Sequence, residues 1–124
     1  MAKAERYWQR AVELRKNDGD LMANIAQLLL SRGQVDEGKR VVQRAFQNNP
    51  TPAARLELLL YSAAHGLQNI DIASAEIEVL LSKGFQSLGW DFNPTLNWVR
   101  DNRPKNLTRI DELARKISAP SHPM

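Results

Sequence analysis

The chain has 124 residues, one domain's worth, and its 43% hydrophobic and 25% charged residues are the balance of an ordinary folded protein. It holds no cysteine, which excludes disulfides, thiolate metal sites and cysteine nucleophiles, and is compatible with a reducing cytoplasm. Its 17 basic and 14 acidic residues leave a formal +3 without the dense basic stripe of a dedicated nucleic-acid binder, and no apolar run approaches the roughly 20 residues that span a bilayer or reads as a signal peptide.

Taken in chain order, the residues predict helices throughout. Residues 1–18 carry apolar side chains at helical spacing, with Tyr7, Trp8, Val12 and Leu14 on a prospective edge. A second helix follows from Leu21, Met22, Ile25, Ala26, Leu28, Leu29 and Leu30, with Asp20 as its N-terminal cap and Gly33 as its stop. Asp36 opens a third helix that runs to about Asn48, where Asn49-Pro50 ends it. Leu56, Leu59 and Ala63 mark a fourth, ending at Gly66, and a fifth ends at Lys83-Gly84-Phe85. Beyond the aromatic stretch Gly89-Trp90-Asp91-Phe92, Asn93 as cap and Pro94 at the first helical position start a sixth helix with Leu96, Trp98 and Val99. A last amphipathic helix over about 105–118 bears Leu107, Ile110, Leu113, Ala114 and Ile117, and residues 119–124 read as a disordered tail.

An internal repeat organises these helices. Gln9-Arg10-Ala11 recurs as Gln43-Arg44-Ala45, a shift of 34 residues. Met22, Ile25 and Leu29 recur at the same shift as Leu56, Leu59 and Ala63. After Gly66 the register slips by about three residues, in a turn where an insertion costs little. Met22-x-x-Ile25-Ala26-x-x-Leu29 and Gly38-x-x-x-Val42-x-x-Ala45-x-x-x-x-Pro50 resemble the two helices of the tetratricopeptide repeat, with Gly33-Gln34-Val35-Asp36-Glu37 at its inter-helix turn. The family's bulky Trp and Tyr are absent from this unit, and Gly38 stands where the family usually has alanine. The resemblance implies an all-α, antiparallel helix-pair solenoid within 1–118: a half repeat over 1–18, a complete one over 19–52, a degenerate one over 53–85 and a helical cap over 86–118. Trp90, Phe92 and Trp98 read as core and clamp of that cap, with an exposed aromatic pocket as the alternative.

Chemistry is not suggested by the residues. His65 ends a helix, where its dipole suits it, and His122 falls in the tail; no metal-ligand spacing accompanies either. The carboxylate pairs Asp36-Glu37, Glu76/Glu78 and Asp111-Glu112 read as caps or solvated faces, and no phosphate loop, nucleophile triad or cofactor motif occurs. The expectation is a non-catalytic module with no metal or cofactor that binds a protein or peptide. The resemblance implies a concave groove lined by Asp20, Asn24, Gln27 and Ser31 from one unit and Glu57, Leu58, Tyr61 and His65 from the next. Asn24 matches a groove asparagine that clamps peptide backbone, whereas Ala54 and Leu58 stand where a carboxylate clamp needs Lys and Arg. The unpartnered first helix implies either a piece of a longer array or a chain that pairs with a second copy through Tyr7, Trp8, Val12 and Leu14. The rival readings are a nucleic-acid-binding repeat using Arg10, Arg15, Lys16, Arg40 and Arg44, and a recruiting domain of a multidomain enzyme.

Overall fold

The computed structural model describes residues 19–119. They form six α-helices and one 3-10 turn, without a strand among the described residues: α1 Gly19–Ser31, α2 Val35–Gln47, α3 Pro52–Ala64, α4 Ile70–Ser82, α5 Asn93–Asn102, the turn Pro104–Asn106, and α6 Leu107–Ser118. The fold is all-α. The prospective edge of Tyr7, Trp8, Val12 and Leu14 lies outside the described residues. No described helix is long and apolar enough to cross a membrane.

The helix ends follow local chemistry. Gly33 adopts φ +83°, and the Gly33 and Gln34 amides close α1 by donating to the Leu30 and Leu29 carbonyls at 3.0 Å each. Asn49 takes φ +49° after α2, a conformation asparagine tolerates, and Pro50 forbids continuation. Thr51 Oγ1 accepts the Ala54 amide at 3.2 Å with Pro52 leading α3, and Asn69 Oδ1 accepts the Asp71 and Ile72 amides at 2.8 and 3.2 Å to start α4. Two starts differ from expectation. Asp20 does not cap its own helix: its carboxylate accepts the Thr51 amide at 3.1 Å and hydroxyl at 3.0 Å, tying the start of α1 to the start of α3. Asn93 lies inside α5, and Asp91 Oδ1 takes the Asn93 amide at 2.9 Å instead.

α1 packs on α2, α3 packs on α4, and α1 packs on α3. The 86–118 segment does not simply seal the far end of this row. α5 returns across α1 and α3, while α6 runs against α3 and α4. α3 is therefore enclosed, with ten of its 13 residues buried, and it has no solvent face. α2 and α6 each bury one stripe, Gly38, Val41, Val42 and Ala45 in the first and Ile110, Leu113, Ala114 and Ile117 in the second. Each large apolar side chain so buried contributes about 1.5–3 kcal/mol. Exposed ion pairs, Asp71 with Arg109 and Glu78 with Lys116 at 3.3 Å, also join α4 to α6, each worth little in water.

Gly38 sets how closely α1 and α2 approach. A Cβ there would stand 2.5 Å from Leu30 Cδ2 and 2.6 Å from its Cγ, and Leu30 is itself fully buried. Gly38→Ala gains about 1 kcal/mol of helix propensity and incurs about 1–3 kcal/mol of overpacking. The expected net result is a lower Tm; a melting curve shifted upward would show that the two helices are not in this register.

Candidate functional site

Four residues on α3 separate one side chain from the next on the same face. Glu57, Tyr61 and His65 follow that spacing, and Gln27 of α1 lies in the same region, joined to it through the 87–98 segment. These side chains and Leu58, expected in an open groove, are buried in the structure. Residues 87–98 meet Gln27, Glu57, Tyr61 and His65 from above, each with a counterpart of its own.

Gln27 uses both ends of its amide. Its Nε2 donates to the Asp91 carbonyl at 3.2 Å, and its Oε1 accepts the Thr95 hydroxyl at 2.7 Å. Thr95 is fully buried, so this hydroxyl depends on Gln27. Tyr61 accepts the Trp90 indole N–H on its hydroxyl at 2.8 Å and meets Phe92 edge to face, with ring centroids 6.1 Å apart. Glu57 Oε2 accepts the Ser87 hydroxyl at 2.6 Å. His65 packs on Trp98 with centroids 4.1 Å apart, but neither ring nitrogen has a hydrogen-bond partner among the described residues.

Covering this stripe changes its acid–base behaviour. Desolvation pushes Glu57 from 4.5 up to about 6, opposed by the Ser87 hydroxyl and aided by the Asp20 charge. Burial, with the Glu57 charge nearby, raises the Tyr61 phenol well above its usual value, although the Trp90 bond pulls the other way. Burial and then the Arg103 charge lower His65 from 6.5 to about 4. At neutral pH the stripe holds an ionised Glu57 beside a neutral Tyr61 and a neutral His65.

The remaining expected groove residues lie outside this covered stripe. Asp20 is exposed and engaged with Thr51, and the Ser31 hydroxyl donates to the Leu28 carbonyl at 3.1 Å. Asn24 is exposed, and its amide makes no hydrogen bond among the described residues. With Leu28, Ser31, Asp91 and Pro94 it borders a shallow cleft of about 270 Å³ between α1 and α5. No group of three or more His, Asp or Glu among the described residues is arranged to hold a metal ion. The covered polar groups are arranged to hold a chain segment by its side chains and backbone.

Ser87, Asp91 and Thr95 were not anticipated as partners of this face. Two signals pointed to them. Residues 56–64 are apolar apart from Glu57, Tyr61 and Ser62, too few polar residues for a solvent face on α3, and aromatic residues cluster at 90–98. No protein-family model, curated protein or solved structure matches the chain.

Proposed function

We propose that this chain is a non-catalytic protein- or peptide-binding module of tetratricopeptide-like architecture. The 34-residue period and the packing of α1 on α2, α3 on α4 and α1 on α3 support a row of antiparallel helix pairs. The observation that carries the functional reading is Gln27, whose one amide holds a main-chain carbonyl and a side-chain hydroxyl of another segment. That is how a peptide is read without chemistry being done to it. The Asn24 amide, which makes no hydrogen bond among the described residues and lies beside Leu28 in the open cleft, offers the same service to a partner from outside. A cytoplasmic setting fits the cysteine-free composition.

The full chain, immobilised and challenged with a random peptide display library, is expected to enrich a shared motif. Binding of the enriched peptides is expected to weaken at least tenfold on Asn24→Ala. Enrichment of nothing over a blank surface would sink the reading. Light scattering on the same material tests self-pairing through Tyr7, Trp8, Val12 and Leu14: a dimer split by Trp8→Ala supports it and a monomer removes it.

A further inference from the structure

We propose that residues 90–102 are a displaceable plug, and that the face of α1 and α3 beneath them takes in trans a peptide of the same chemistry, Trp-x-Phe-x-x-Thr. The inference rests on the peptide-binding reading and names the ligand class for it.

The chain supplies its own first ligand. Trp90, Phe92, Thr95 and Trp98 each meet a particular side chain below: Tyr61 for the first two, then Gln27, then His65. These pairings are side-chain specific, so they select a sequence instead of merely excluding water. A generic cap needs only an apolar underside, as α6 has with Ile110, Leu113, Ala114 and Ile117. α5 buries only Thr95 and Val99 of its ten residues.

The closed state also carries defects that opening would relieve. Both His65 nitrogens are buried without partners among the described residues, and water would satisfy them once Trp98 lifts. Departures from full polar satisfaction concentrate at functional or strained sites. The flanks suit a pivot. Ser87 and Gly89 are held to α6 by bonds from their amides to the Ile117 and Ser118 carbonyls at 2.9 and 2.8 Å. Gly89 itself sits at φ +76° with open space where a side chain would be. At the other end Arg103 and Pro104 break α5 from α6. The segment between can rise while α6 stays packed on α3 and α4.

The test uses the full chain and a fluorescein-labelled peptide with the sequence of residues 88–100. Thr95→Ala with Trp98→Ala weakens the plug and leaves Phe92 and Val99 in place. The peptide is expected to bind this variant at least tenfold more tightly than the unaltered chain by anisotropy, and a peptide carrying Thr95→Ala is expected to lose several-fold of the gain. Hydrogen exchange on the unaltered chain needs no variant: α5 amides are expected to exchange through an opening that leaves α3 protected. Equal affinity for both proteins, or α5 amides that exchange only together with α3, would overturn the proposal. Should neither protein bind the peptide while library peptides still bind the unaltered chain through Asn24, the plug fails and the peptide-binding reading stands.

Discussion

Tyr61→Ala is expected to lower stability by about 3–5 kcal/mol, the range for removing a fully buried aromatic side chain. The ring is completely buried, its edge-to-face contact holds Phe92, and its hydroxyl is the acceptor for Trp90. A domain of this size has only about 5–15 kcal/mol to lose, so the variant sits near the unfolding threshold at 37 °C. Tyr61→Phe separates the two roles. It keeps the packing and removes only the acceptor, leaving the Trp90 N–H without a partner, at about 1–2 kcal/mol. Urea unfolding of both variants measures the difference. A Tyr61→Ala loss below about 1 kcal/mol would mean that α5 does not close over α3 in solution.

Acid is expected to separate two buried groups that work against each other. His65 is lowered from 6.5 to about 4 in the folded chain, so the unfolded chain binds its proton first. Its stabilising contribution is complete above pH 6.5 and is lost as pH falls toward 4, roughly 3 kcal/mol in all. Glu57 is raised from 4.5 to about 6, so its contribution is complete below pH 4.5 and is lost as pH rises through 6, about 1–2 kcal/mol once solvent screening of the carboxylate is allowed for. Between about pH 4.5 and 6 the two nearly cancel. The groups that face them are Asp20, Tyr61 and Ser87 around Glu57, and Arg103 and Trp98 around His65. Glu57→Gln is therefore expected to lose stability steadily as pH falls from 6.5 to 4, more steeply than the unaltered chain. His65→Phe is expected to lack that slope and to be about 1 kcal/mol more stable at pH 7, because it removes two buried nitrogens that have no partner among the described residues and keeps a ring against Trp98. Urea midpoints at pH 7, 6, 5 and 4 decide it. Parallel curves for all three proteins would show that neither side chain is covered.

Helix order was readable from the residues because period, caps and stops are local. Gly33, Thr51-Pro52 and Asn69 act through neighbours a few residues away, so their signals survive without tertiary knowledge. Asp20 and Asn93 went to different tasks because a carboxylate or amide at a helix start has several possible takers, and tertiary placement chooses among them. The candidate site was legible as a set of side chains and not as an environment. Gln27, Glu57, Tyr61 and His65 do share a region, but a periodic pattern says which face of a helix a residue occupies and not what lies over it. What lies over it is residues 87–98, and the information sits in two places, the missing polar face of α3 and the aromatics at 90–98, which only a three-dimensional arrangement joins. Asn24 and Asp20 stay exposed, Asn24 at the border of the cleft between α1 and α5.

The bond between Thr95 and Gln27 spans 68 residues of chain. On a ribosome adding about 5–20 residues per second, Gln27 waits several seconds for its counterpart to be made, and longer for it to clear the exit tunnel. The helix pairs of α1 with α2 and α3 with α4 are close in sequence and can form in that interval. The nascent chain therefore passes through a stage in which Tyr61 and its neighbours face solvent or a chaperone, and the order of synthesis places closure of this face after the two helix pairs and before α6 is complete.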